Sequence, residues 1–189
     1  EAGHDTLSGL LNRSSFVRYQ NGVQRKYGES CGMITADING LKQLNQDYGH
    51  SRGDETIITV TAVMRTCFPD GEIFRLSGDE FVIIAMNQEY EVFMKHVREM
   101  GIELDSKTPN GVSLGATWVE HLTDLDVLLH HAEELMLVNK QIYYKNSDDV
   151  RKHYSPEGMK LLVHDVEQGY YRLYLQPKFD PETGTVHSV

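Results

Sequence analysis

The stretch Arg75-Leu76-Ser77-Gly78-Asp79-Glu80-Phe81 constrains this chain more than any other, because it lies between two apolar runs, residues 72–76 and 81–86, with the composition of paired strands. Two such runs joined by Gly-Asp specify a β-hairpin. The spacing predicts a tight turn with Gly78 and Asp79 at its central positions, where a positive φ is wanted and glycine supplies it without steric cost. That turn sets the carboxylates of Asp79 and Glu80 side by side on a rigid tip. Adjacent carboxylates repel, and a divalent cation relieves the repulsion once a third oxygen ligand lies nearby. From these residues alone an ordinary Gly-Asp hairpin with solvated acids is the plainer alternative.

A candidate for the third ligand comes earlier. Cys31–Ile38 is a nearly continuous apolar run, the pattern of a central strand buried on both faces, and it carries Asp37 at its end. Asn39-Gly40 breaks the strand, leaving backbone N–H groups near Asp37 where a phosphate could be cradled; a plain strand-to-helix turn capped by Asp37 is the alternative. Residues 41–48 read as one or two helical turns, and residues 49–54 as a loop feeding a helix over 55–66. Asn45 and Asp54 flank that loop. An amide and a carboxylate facing one cleft can read guanine, whose paired N–H donors a carboxylate accepts, although the two also fit a helix end and the cap of the next helix. His50 reads as a turn histidine.

The remaining pattern surrounds these pieces with helices. Ser14-Ser15 is the expected cap of a helix over 16–27, and Phe68-Pro69-Asp70-Gly71 is a turn. An amphipathic helix over 89–104 carries Val92, Phe93, Val97, Met100 and Leu104 near one face, as core packing. Val112–Val119 reads as a strand in which Gly115 allows a close backbone approach. A helix over 122–139, begun by Thr123 or Asp124, ends near Lys140, which either complements the helix dipole or meets a phosphate. From residue 147 the chain becomes polar, then shows a helical segment over 157–168 and an extended run over 170–179.

Composition narrows the partners. With 28 acids against 18 bases the formal charge is −10, so the chain has no general attraction for nucleic acid or anionic lipid, and a phosphorylated ligand needs a local pocket or metal ions. Cys31 and Cys67 form neither a metal-type pair nor a disulfide framework, which fits a reducing, cytoplasmic setting. No apolar run reaches the roughly 18 residues of a membrane span, so no direct membrane insertion is expected. The beginning reads as part of something longer.

Together these motifs resemble the GGDEF family of diguanylate cyclases, bacterial enzymes that condense two GTP molecules into cyclic di-GMP. The resemblance covers about residues 5–145. It rests on Asp5-Thr6-Leu7-Ser8-Gly9-Leu10-Leu11-Asn12-Arg13, on Asp37-Ile38-Asn39-Gly40-Leu41-Lys42 with Asn45, on Tyr48-Gly49-His50 with Gly53-Asp54, and on Arg75 through Phe81. It implies an α/β (α+β) sandwich of the ferredoxin-like, nucleotide-cyclase type, with a central mostly antiparallel sheet flanked by helices. It further implies that Asp37, the Ile38 carbonyl and Asp79 hold one or two Mg2+ ions (or Mn2+), with Glu80 as a further ligand or hydrogen-bonding acid, and that Asp79 and Glu80 are the catalytic acids. Asn45 and Asp54 would recognise guanine. Asn39, Gly40, Leu41 and Lys42 would cradle the phosphates, Gly78 would lie against the substrate, and Lys140 would neutralise the phosphates. Each domain would hold one GTP, so the reaction needs a homodimer.

This chain departs from the family at four places. Ser77 stands for the first glycine of the signature, and its Cβ is expected to crowd the nucleotide or strain the turn at about 1 kcal/mol. Asn39 replaces the second acid of a pair. Tyr144 takes the place of a phosphate-binding arginine, with Lys145 beside it. The family's inhibitory Arg-x-x-Asp would fall on residues 68–71 and is absent, so no product feedback is expected there. Residues 170–189, with Tyr174-Leu175-Gln176-Pro177, resemble the opening of an EAL phosphodiesterase domain. The expected organisation is a GGDEF domain over 1–146, a linker helix over 147–169 and the start of a truncated EAL domain. An attached EAL domain and an upstream sensor are the expected partners. A weak or inactive GTP-binding module controlling that EAL domain is the alternative function.

Overall fold

The computed structural model describes residues 3–146 and the two short strands Lys178–Phe179 and Val186–His187. The chain divides into two compact units, Glu1–Tyr154 and Ser155–Val189. The expected linker helix and most of the extended run after it fall outside the described residues. In the first unit the order is β1 (Leu11–Asn12), α1 (Arg13–Gly22), a 3-10 turn (Val23–Lys26), β2 (Cys31–Ile38), α2 (Leu41–Tyr48), α3 (His50–Cys67), β3 (Glu72–Arg75), β4 (Glu80–Met86), α4 (Tyr90–Lys107), β5 (Val112–Val119) and α5 (Leu125–Asn146). In the second, β6 (Lys178–Phe179) pairs antiparallel with β7 (Val186–His187).

The first five strands form one sheet in the order β1-β3-β4-β2-β5, in which only the β1–β3 pair is parallel. This is the mostly antiparallel α/β architecture that the sequence implies. Every residue of β2 is buried, because alternate side chains enter two different cores. Ile34, Ala36 and Ile38 join Ile57, Val60, Met64, Phe93 and Met100 from the helices on one face. Cys31 and Met33 join Phe16, Leu125, Leu128 and Ala132 from α1 and α5 on the other. Each large side chain so buried contributes about 1.5–3 kcal/mol. The alternation also places Thr35 and Asp37 on the face that α5 covers.

Gly115 brings α5 down onto that face. A Cβ at this position would collide with the Ala132 carbonyl oxygen and the Met136 nitrogen, so its missing side chain sets the spacing between β5 and the helix, as expected of it. Several boundaries differ from the sequence-based expectation. The cap of α1 is Asn12, whose side chain accepts the Ser15 N–H at 3.1 Å, and Ser14-Ser15 lie inside the helix; the helix gives way to the 3-10 turn after Gly22. The loop expected over 49–54 shrinks to Gly49, at φ 85°, with α3 beginning at His50. At the start of α5, Asp124 accepts N–H groups from Asp126 at 2.9 Å and Val127 at 3.3 Å. That helix continues to Asn146, so Lys140 sits in its body and not at its dipolar end.

Candidate active site at the end of the central strand

The signature hairpin is wider than a tight Gly-Asp turn. β3 ends at Arg75 and β4 resumes at Glu80, with the Leu76 N–H donating to the Glu80 carbonyl at 2.9 Å. Gly78 has no positive φ, because a longer connection reverses the chain without one. A Cβ on Gly78 would meet no atom within 4 Å, so neither backbone strain nor packing requires glycine there. Arg75 holds the loop from inside, donating to the Gly78 carbonyl from Nη2 at 2.8 Å and from Nε at 3.3 Å. Its remaining arm donates to Asp5 Oδ1 at 2.8 Å, a clasp between two motifs that sequence spacing alone does not reveal. Ser77 also has ordinary backbone geometry. Its hydroxyl donates to Glu80 Oε2 at 2.7 Å, so the strain expected of Ser77 is absent and the residue orients an acid instead.

Asp37 lies opposite Glu80 in the β2–β4 register. Side chains opposite each other on one face stand about 5 Å apart, which sets two carboxylates against each other, Asp37 buried and Glu80 exposed. Lys140 reaches in from that helix and donates to Asp37 Oδ2 at 2.6 Å, with side-chain exposures of 20% for the lysine and 7% for the aspartate. Burial pushes the Asp37 carboxyl above the usual range; Lys140 opposes that rise, and Asp79 and Glu80 add to it. Burial by itself would lower the Lys140 ammonium, but the hydrogen bond and charge of Asp37 outweigh it and hold the proton more tightly. Glu133, two turns before Lys140 on α5, is raised first by burial and then by Glu80, against a lowering from His130. It is a further acid near the site that the motifs do not mark.

The turn after Asp37 divides its tasks. Asn39 is buried and turned inward: Ser113 Oγ donates to its Oδ1 at 2.6 Å, and its Nδ2 donates to the Asn110 carbonyl at 3.2 Å. Its backbone N–H is taken by the Gly111 carbonyl at 3.2 Å. Asn39 therefore braces the turn and directs no side-chain group outward. Gly40, in the left-handed region at φ 63°, begins α2 without a side-chain cap, and Leu41 and Lys42 form its first turn. Asn45 lies against α3, where Gly53 leaves no room for a Cβ beside its side chain. Asp54 is exposed in the first turns of α3, and so is His50.

Two oxygens at the motif positions are left without hydrogen-bond partners: Asn45 Oδ1 and Asp37 Oδ1, the latter the only carboxylate oxygen among the buried unpartnered atoms of the described residues. A buried carboxylate oxygen is costly to leave unsatisfied. Its hardness and the acids of Asp79 and Glu80 beside it suit Mg2+ or Mn2+. Among the described residues no three carboxylate, His or Cys side chains converge on one point, so the centre would draw its other oxygens from the Ile38 carbonyl and from ligand or solvent. Among the same residues, no helix is long and apolar enough to cross a membrane.

Comparison with known proteins identifies the family and the fold. The family model described as "Diguanylate cyclase, GGDEF domain" matches residues 2–145, and the chain belongs to that family. It is 24% identical over 144 residues to the diguanylate cyclase DgcM of Escherichia coli K12, covering 71% of this chain and 35% of the relative. The chain thus spans about a third of that protein's length. The fold is similar to the GGDEF domain of DgcB from Caulobacter crescentus, solved in complex with c-di-GMP, with a TM-score of 0.67 at 21% identity over 75% of this chain and 91% of the other. It is also similar to the S helix-GGDEF-EAL structure of Vibrio cholerae LapD bound to c-di-GMP, with a TM-score of 0.64 at 21% identity over 89% of this chain and 43% of the other.

Proposed function

We propose that this chain is a diguanylate cyclase domain that binds GTP with Mg2+ or Mn2+ and condenses two GTP molecules into cyclic di-GMP and two pyrophosphates, one GTP on each of two facing copies. The observation that carries the reading is Asp37: a buried carboxylate with one oxygen on Lys140 and the other without a partner, opposite Glu80 on the neighbouring strand. Asp37, the Ile38 carbonyl and Asp79 are the groups that would hold the cation, with Glu80, which accepts from the Ser77 hydroxyl, as a hydrogen-bonding acid beside them. When bound, the cation supplies charge neutralisation at the phosphates and at the departing pyrophosphate. Asp79 takes up the proton of the ribose 3′-OH, whose oxygen forms the new bond to the α-phosphorus of the second GTP as the bond to pyrophosphate breaks. The backbone at Gly40, Leu41 and Lys42 receives the phosphates, Lys140 offsets their charge, and Asn45 and Asp54 select guanine. Gly78, which needs glycine for neither φ nor packing, keeps the hairpin open to the nucleotide.

A second reading, in which the domain binds GTP and regulates an attached EAL domain without making product, is favoured by one feature. Tyr144 stands where the family places an arginine, and its ring packs edge-on against Tyr143 at 5.1 Å; a phenol does not reproduce the bidentate guanidinium fork. Incubating the chain, fused to a dimerising coiled coil, with GTP and Mg2+ separates the readings. Pyrophosphate and cyclic di-GMP that disappear in Asp79→Ala establish the cyclase. Calorimetric Mg2+-dependent GTP binding without product establishes the regulatory module, and absence of binding sinks both.

A further inference from the structure

We infer that Lys140 is the resident counter-ion of Asp37, occupying in the nucleotide-free protein the carboxylate that a divalent cation must share, so that lysine and metal exchange on one residue. The inference rests on Asp37 as a metal ligand and goes beyond it by giving Lys140 a task before any phosphate arrives. The ammonium is 2.6 Å from Asp37 Oδ2 and largely buried with it, where charges interact far more strongly than in bulk water. Asn39 contributes no charge at the neighbouring position and is fully engaged by Ser113 and Asn110. Lys140 therefore offsets one of the three negative charges that Asp37, Asp79 and Glu80 bring together, and a cation arriving alone meets an ammonium already seated on Asp37 Oδ2.

A nucleotide changes that balance. Its phosphates offer the lysine another anion, and the four-carbon stem lets the ammonium turn while α5 holds its backbone still. Metal and nucleotide are then coupled through Lys140: each raises the affinity of the other by the same factor, because coupling between two binding events is reciprocal. The exchange predicts weak metal binding without nucleotide and a specific remedy for it.

The test is Mn2+ titration of the nucleotide-free chain followed by electron paramagnetic resonance, which reads free and bound ion without any turnover. Lys140→Met and Lys140→Gln are expected to bind Mn2+ about tenfold more tightly than wild type or better, while Lys140→Arg, which keeps the charge, stays as weak as wild type. Circular dichroism selects folded samples, and the glutamine variant, which keeps a polar neutral end beside Asp37, serves should the methionine variant prove unstable. Folded Met and Gln variants that bind Mn2+ no better than a wild type that does bind Mn2+ with GTP overturn the exchange and leave the nucleotide site standing. Tight binding by the arginine variant also overturns it. Lack of Mn2+ binding by every protein, with or without GTP, removes the metal centre and the exchange together.

Discussion

Asp5 and Asp37 each sit against a basic side chain, 2.8 Å from Arg75 Nη1 and 2.6 Å from Lys140 Nζ, yet the fold moves their proton affinities in opposite directions. Burial raises both. At Asp5 it is outweighed by the Ser8 hydroxyl at 2.7 Å, the Ser8 N–H at 2.8 Å and the Arg75 guanidinium, all on one oxygen, and the carboxyl ends below its usual range. At Asp37 a single lysine does not compensate for burial and two neighbouring acids, and the other oxygen has no partner. One carboxylate is satisfied by its own fold and holds the hairpin to the N-terminal segment. The other is left wanting, which suits a ligand site more than a structural clasp.

The largest effect that would sharpen this contrast is expected from the double substitution Asp37→Asn with Lys140→Met. Replacing a buried ion pair by neutral groups of similar shape leaves stability within about 1 kcal/mol of wild type or raises it, whereas Mg2+-dependent GTP binding, read by calorimetry, falls by about 100-fold or more. A large loss of stability would show that the pair is structural after all. Asp5→Asn is expected to do the reverse, losing about 1–2 kcal/mol in urea unfolding at neutral pH, a value discounted for the partial exposure of the pair. Because the Asp5 pKa is lowered, its contribution is present above the ordinary value of 3.8 and disappears as pH falls through the folded pKa. The stability gap between wild type and Asp5→Asn therefore closes in acid, and a gap that widened there would contradict the assignment. The smallest effect belongs to Ser77→Gly: about 0.5 kcal/mol of stability from a lost exposed hydrogen bond and a freer backbone. Product formation should change less than about threefold; a tenfold rise would mean that the serine Cβ obstructs the nucleotide.

Most of the architecture is legible in the sequence because its signals are local. The run of Cys31–Ile38 announces a strand buried on both faces, and the continuous apolar run from Phe81 through Ala85 supplies its partner. Glycine was the ambiguous letter. Gly53 reads as loop punctuation, but in α3 it makes room for the Asn45 side chain, and Gly78 reads as a turn residue but has no need of a positive φ. The motifs mark Asp5, Asp37, Arg75 and Lys140 individually. What they cannot supply is the pairing, since Asp5–Arg75 and Asp37–Lys140 are contacts between distant segments that exist only once the sheet has formed. Likewise Asn39 looks like a displaced ligand until Ser113, on the next strand, is seen to hold it.

Gly115 touches neither nucleotide motif nor ion pair, but it is the gauge for the whole centre. The Ala132–Met136 turn of α5 rests on it without an intervening side chain, and Lys140 follows one helical turn later, about 6 Å further along the axis. The reach of the ammonium to Asp37 is thus calibrated by a hydrogen atom at a position with no chemistry of its own. A methyl group there would tilt the beam on which the lysine is mounted, and the error would be read out where the beam ends.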